Sequence, residues 1–210
     1  MLAPLGGSFM AQLSLFKQAK TPKDVVYTQS IIAESIIQTL KPAGKILDPC
    51  KGDGSFYDMF PSSEELFYCE ITEGKDFYNF HQKVNWIIGN PPYSIFLEWL
   101  QHSFKISSNV AYLVPTNKIF QSWKIMNLIQ EYGGIKTMLV YGSGNLLNFP
   151  FGFSVGVSHF QRGYHGLVDL QFVKPPNKSL QRTAGTVPSK KADSKPDILS
   201  ASVAGSPSRR

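Results

Sequence analysis

The sequence predicts one α/β domain: an open, mostly parallel sheet with helices on both faces, short of one edge strand and ending in an antiparallel hairpin. Three observations carry this. Short apolar runs alternate with amphipathic segments between about residues 21 and 172, the pattern of a chain passing from strand to helix and back. A glycine-containing turn, Lys51-Gly52-Asp53-Gly54, follows the first apolar run, where a strand would bend tightly into a helix. The connection Ile71–Lys83 is too short for a full strand–helix–strand excursion. Fully extended, it spans about 43 Å at most, enough to return across a sheet without adding a strand.

In chain order, Ile31, Ile32, Ile36, Ile37 and Leu40 repeat at helical spacing behind Tyr27-Thr28. Lys45–Asp48 reads as a short buried strand, and Ser55–Phe60 as the helix after the glycine turn. Leu66–Glu70 and Val84–Gly89 are the next strands, Ile95–Ile106 a helix and Val110–Val114 a strand. Lys118–Tyr132 reads as one helix, which Gly133-Gly134 would end in the left-handed conformation. Ile135–Tyr141 follows as a strand, and Phe153–Phe160 with Leu167–Val173 reads as the closing hairpin.

Composition narrows the class. With 42% hydrophobic and 17% charged residues, the chain is that of a globular protein with a real core. No apolar run reaches the ~18–20 residues of a membrane helix, and residues 1–20 lack the cationic start and apolar stretch of a secretory signal. They read as a flexible lead-in to a cytoplasmic protein. Cys50 and Cys69 have neither disulfide-framework nor metal-ligand spacing and are expected to be buried, reduced thiols. The four histidines show no ligand spacing either, so no metal is expected. The net charge of +6 resides in the tail: from Lys174 onward there are eight basic and two acidic residues, while the remaining thirteen of each sign cancel. Residues 173–210 are rich in Pro, Ser and Lys without periodicity, so they are expected to be a disordered basic tail. Any basic contact surface on the folded part must then be local.

The chemistry concentrates in a few short segments. Asn90-Pro91-Pro92-Tyr93 follows the strand Val84–Gly89 directly. An amino group on a purine ring is a poor nucleophile, because its lone pair is delocalised into the ring. Two fixed oxygens that accept both N–H groups restore a pyramidal nitrogen. The Asn90 side-chain oxygen is one such acceptor, and the Pro91 carbonyl, held by the rigid Pro-Pro geometry, is the second. Tyr93 supplies a ring for stacking an extruded base. This tetrapeptide resembles that of amino-group methyltransferases, among them DNA adenine-N6 and certain glutamine-amide enzymes.

Other segments fall in register with it. Asp48-Pro49-Cys50-Lys51-Gly52-Asp53-Gly54-Ser55-Phe56 is similar to the Asp-Pro-x-x-Gly-x-Gly-x-Phe cofactor loop of DNA adenine methyltransferases. The resemblance implies that Asp48 contacts the methionine part of S-adenosyl-L-methionine, with Pro49, Gly52 and Gly54 shaping the loop. Asp53 and Lys51 depart from the residues frequent there. Glu70 closes the next strand, 18 residues beyond Gly52, where an acid accepts ribose hydroxyls. A dinucleotide-binding reading is disfavoured, because Tyr57 stands where a third glycine belongs. Asp76-Phe77 resembles the pair that such enzymes place against the cofactor adenine. Tyr27-Thr28 resembles the Tyr-Thr-Pro segment that touches the cofactor carboxylate, with Gln29 in place of proline; Thr28 is also a candidate helix cap. Asn148–Phe153 sits where the family offers an aromatic to the flipped base, and Phe149 and Phe151 are the candidates.

Together these segments resemble small, phage-like DNA adenine-N6 methyltransferases over roughly residues 21–166. The resemblance implies a Rossmann-like class I methyltransferase fold, S-adenosyl-L-methionine as cofactor, and nucleic acid, DNA first, as partner, with no membrane. RNA adenine-N6 methylation, glutamine-amide methylation and a non-catalytic cofactor-binding module stay open as alternatives. No recognition domain is visible, and the sequence sets no oligomeric state.

Overall fold

The computed structural model describes residues 26–174; the lead-in and the tail beyond Lys174 lie outside the described residues. Seven strands form one sheet in the order β2-β1-β3-β4-β6-β5-β7. The strands are β1 (Lys45–Asp48), β2 (Glu65–Tyr68), β3 (Val84–Gly89), β4 (Ser107–Pro115), β5 (Gly133–Ser143), β6 (Ser154–Arg162) and β7 (Asp169–Phe172). The first four are parallel to one another, and β6 lies antiparallel between β4 and β5.

Among the described residues four α-helices accompany them: α1 (Ser30–Leu40), α2 (Phe96–Ile106), the single turn α3 (Asn117–Phe120) and α4 (Trp123–Tyr132). The two faces of the sheet bury different sets. Leu47, Ile87, Val110, Tyr112 and Val114 pack with Trp99, Leu100 and Phe104 of α2 and Ile125 and Ile129 of α4. Their neighbours Ile46, Ile88, Ala111 and Leu113 pack with Ile32, Ala33, Ile36 and Ile37 of α1. Successive strand residues point to opposite faces, so continuous apolar runs mark strands covered on both sides.

The trimmed edge is present: β2 is the outer strand on its side, and residues 71–83 return to β3 through two 3-10 turns, Ile71–Glu73 and Phe77–Asn79. Other expectations need correction. The segment Ser55–Phe60 holds only a 3-10 turn, Tyr57–Met59. Gly54 at φ 92° precedes it and Pro61 follows it, so the pre-proline Phe60 is extended and the helix has no room. The expected helix Lys118–Tyr132 is two, because Ser122 turns extended and accepts from the Lys124 N–H to start α4 anew. Gly133 does end α4, but at φ 154°, ψ −92°, outside the left-handed helical region, and the chain enters β5 at once. Ile31 is exposed and leaves the buried face of α1.

The antiparallel C-terminal part also pairs differently from the expected hairpin. Both edges of β6 are taken, by β4 and by β5, so β7 pairs in parallel with the far side of β5. Its direction opposes that of β6, yet a strand lies between them.

Candidate active site

The carboxyl ends of β1, β2 and β3 surround a cleft of about 410 Å³, within the range of small-molecule sites. Its floor is the loop after β1. There the Cys69 N–H donates to the Asp48 carbonyl at 2.8 Å, and the Lys51 N–H donates to the Cys69 carbonyl at 2.9 Å, fixing the loop to the end of β2. Gly52 turns at φ 56°, and a Cβ there would lie 3.6 Å from the Tyr27 ring. Tyr27 therefore lies over the glycine as part of the cleft wall.

Glu70 holds this loop from the side. Its Oε2 accepts from the Gly52 N–H at 2.9 Å, and its Oε1 accepts from the Thr72 N–H at 3.0 Å and the Thr72 hydroxyl at 2.6 Å. Partial burial pushes the Glu70 carboxyl up, but these donors outweigh it and hold it below the usual carboxylate range. A carboxylate offers about four lone-pair directions. Three are taken, leaving Oε2 room for one further donor rather than for two hydroxyls. Asp76 also faces the cleft, and its Oδ1 accepts from the Tyr78 N–H at 3.0 Å. Phe77 beside it packs against Trp99, ring centres 4.5 Å apart and tilted by 36°, and both rings line the apolar wall.

Asn90 stands at the junction of cleft and catalytic motif. Its Nδ2 donates to the Val26 carbonyl at 2.8 Å and to Thr28 Oγ1 at 3.3 Å, which fixes the direction of Oδ1. That oxygen accepts from the Tyr93 hydroxyl at 2.8 Å. The Cys50 thiol reaches the Asn90 backbone carbonyl at 3.1 Å; burial pushes this thiol far above its ordinary range, so it stays protonated and a donor. Both cysteines are free, as expected.

Of the residues singled out from the sequence, Tyr27, Thr28, Pro49, Gly52, Glu70, Asp76, Phe77, Asn90 and Pro92 line this cleft. The others do not. Asp48 is 1% exposed. Its Oδ1 accepts from the Cys50 N–H at 3.2 Å and lies 3.1 Å from the Cβ position of Gly89, so the carboxyl is walled behind the loop. Burial raises it to about 7, against the lowering effect of the Cys50 and Tyr57 N–H groups. Gly54 serves the turn and not the wall, since its Cβ position falls 2.9 Å from Asp58. Pro91 is buried, and Tyr93 is 8% exposed, so its ring offers no open stacking face. Phe149 is a core residue at 4% exposure and is removed as a stacking ring. Phe151 is half-buried, 6.0 Å from the Tyr93 ring.

Sequence reasoning missed Asp53 and Trp99 as parts of the cleft. Asp53 lies in the glycine loop, with Oδ1 accepting from the Ser55 N–H at 3.1 Å; its place between two glycines was the available signal. Trp99 was readable only as part of a buried helical face. Among the described residues, no group of three His, Cys, Asp or Glu could hold a metal ion. No helix among them is long and apolar enough to cross a membrane.

The chain has the class I methyltransferase fold. Solved structures that share it include the methyltransferase subunit of a type I restriction-modification system from Streptococcus thermophilus, 15% identical with a TM-score of 0.56 over 82% of this chain and 53% of that one. A protein from Listeria monocytogenes assigned as a class I S-adenosylmethionine-dependent methyltransferase is 11% identical, TM-score 0.54, over 82% and 74%. A modification subunit assigned to a type I restriction enzyme of Vibrio vulnificus YJ016 is 13% identical, TM-score 0.53, over 81% and 51%. The chain thus spans about half the length of the two restriction-system subunits. No protein-family profile and no curated protein matches the sequence.

Proposed function

We propose that the chain transfers a methyl group from S-adenosyl-L-methionine to an exocyclic amino group, adenine N6 in DNA first among the targets. The observation that carries this reading is the Asn90 amide at the end of a cleft lined by Glu70 and Asp76, fixed by two hydrogen bonds on its nitrogen and by the Tyr93 hydroxyl on its oxygen. The chemistry of the cleft fits the cofactor. An apolar wall of Phe77 and Trp99 suits a purine, Glu70 keeps one acceptor position for a ribose hydroxyl, and Asp53 offers a negative charge to an ammonium group. Neighbours named as modification subunits of restriction systems share the fold, which makes DNA the first substrate to test.

The cofactor supplies an electrophilic methyl group on sulfur. Asn90 supplies the acceptor: its Oδ1 takes an N–H of the target, and the ring-delocalised lone pair becomes available as that nitrogen pyramidalises. The Pro91 carbonyl takes the second N–H. Tyr93 holds Oδ1 in line at rest and yields it to the target. As the nitrogen–carbon bond forms and the sulfur–carbon bond breaks, the nitrogen turns acidic and loses a proton to solvent. No general base is needed.

The test is transfer of labelled methyl to DNA, RNA and protein pools, with product identity read by mass spectrometry. Asn90→Ala is expected to lower turnover about 100–1,000-fold, like removal of other transition-state partners, while cofactor affinity measured by calorimetry stays close to parent. N6-methyladenine that vanishes in this variant is the supporting result. Methylated glutamine, or full activity of Asn90→Ala, would sink the assignment.

A further inference from the structure

Resting on that reading, we infer that the target strand is single-stranded DNA, held by an aromatic ramp running outward from the catalytic motif. The ramp runs from Phe151, whose ring lies 6.0 Å from that of the enclosed Tyr93, to Phe153 at 6.1 Å. Burial falls along it: Tyr93 is enclosed, Phe151 half-buried and Phe153 62% exposed. The segment after β4 rises beside its outer end. Pro115 pairs with Val155, and the Thr116 N–H donates to the Ser154 carbonyl at 2.8 Å, directly after Phe153. From that anchored residue the chain leads within a few positions to Phe120, 53% exposed, and Trp123, 73% exposed.

Of the six basic residues between 77 and 168, Lys118 and Lys124 lie in the segment that carries the exposed rings. Residues 26–76, which build most of the cofactor side, hold four basic residues and nine acids. Lys118 and Lys124 flank Phe120 and Trp123, with no acid between Thr116 and Gln130, and residues 142–154 carry no charge. Rings interleaved with a few cations bind strands whose base faces are free, because each base stacks whatever its identity. A duplex keeps its bases stacked on each other and is held mainly through many phosphate contacts. Two lysines do not furnish them.

The full-length chain is titrated, without cofactor, into fluorescent single-stranded DNA, the matching duplex and the matching single-stranded RNA, with anisotropy as readout. Single-stranded DNA is expected to bind at least about tenfold more tightly than duplex, and Trp123→Ala and Phe153→Ala each to weaken it about tenfold. Trp123→Tyr should restore most of the loss, and the double variant Lys118→Ala/Lys124→Ala should reduce the salt slope by about 1.4. Unchanged melting and unchanged cofactor affinity certify that these variants are folded. Equal or tighter duplex binding overturns the inference. So does parental affinity in both ring variants, and preference for RNA overturns the choice of DNA. Strand binding is read apart from chemistry, so an intact ramp with no methyl transfer defeats the proposed function alone. Methyl transfer untouched by the ring variants defeats the ramp alone.

Discussion

Asp48, at the end of β1, and Asp53, in the loop after it, sit in opposite surroundings. Asp48 is buried and held near pH 7 by desolvation, whereas Asp53 opens on the cleft. A bound cation lowers the pKa of a nearby carboxyl, so cofactor binding near pH 6.5 should expel a proton from Asp48, and affinity should rise as pH rises towards 7. Calorimetry in buffers of different ionisation enthalpy reads this directly. Proton release should be present in the parent and absent in Asp48→Asn. Asp53→Asn should keep it while losing about 1–3 kcal/mol of binding through the missing charge-assisted contact. Buffer-independent heats in the parent would mean that cofactor binding leaves the protonation of Asp48 unchanged, and would refute the coupling. The sequence made Asp48 visible through its loop but could not place its carboxyl, because the wall is made by Gly89 on another strand. The aromatics behaved alike: Phe149, Phe151 and Phe153 are equivalent as letters and differ only in burial, which tertiary packing decides.

At the scale of elements, legibility followed how local the cause is. β1 and β3 have the bounds read from their apolar runs, since both faces are covered and every residue in the run is informative. Phe153–Phe160 read as a strand, but the hairpin partner expected for it, Leu167–Val173, gives way to β4 and β5, a pairing that only the assembled sheet decides. Two glycines on this side show how different such positions are. At Gly133 a Cβ would meet the Gln161 carbonyl oxygen at 2.3 Å and the Gly163 nitrogen at 2.4 Å. Backbone cannot step aside as a side chain can, so Gly133→Ala should cost about 3 kcal/mol or more. Gly163, at φ 68°, has nothing within 4 Å, and Gly163→Ala should cost only the left-handed penalty, about 1–2 kcal/mol. Urea denaturation of both variants checks the order. Equal losses would show that the Gly133 contact relaxes freely.

For the whole molecule, two buried groups titrate in opposite senses over one pH range. Burial lowers His159 to about 4, with Lys136 adding to the effect, so its stability contribution is present above its unfolded value near 6.5 and is lost as pH falls through 4. Asp48 is raised to about 7, so its contribution is present below its unfolded value near 3.8 and is lost as pH rises through 7. Between about 4 and 6.5 the unfolded chain gains a proton at His159 and loses one at Asp48, and the two slopes cancel. Stability from this pair should therefore be flat. Removing one group exposes the other, at about 1.4 kcal/mol per pH unit. Asp48→Asn should become less stable as pH falls, and His159→Gln less stable as pH rises, relative to the parent. Thermal melts from pH 4 to 6.5 decide it, and parallel curves for all three proteins would refute the compensation.

The position of β6 between β4 and β5 also sets a timetable for synthesis. On a ribosome adding ~5–20 residues per second, the roughly forty residues separating Pro115 from Ser154 take several seconds to appear. During that interval the inner edge of β4 has no partner, and β5 emerges beside a gap that it does not itself fill. The half of the sheet from β2 to β4 can assemble early. The remainder must wait for its penultimate strand, a non-local closure of the kind that slows folding. The nascent chain is then most vulnerable to pairing with a neighbour just before residue 154 clears the exit tunnel.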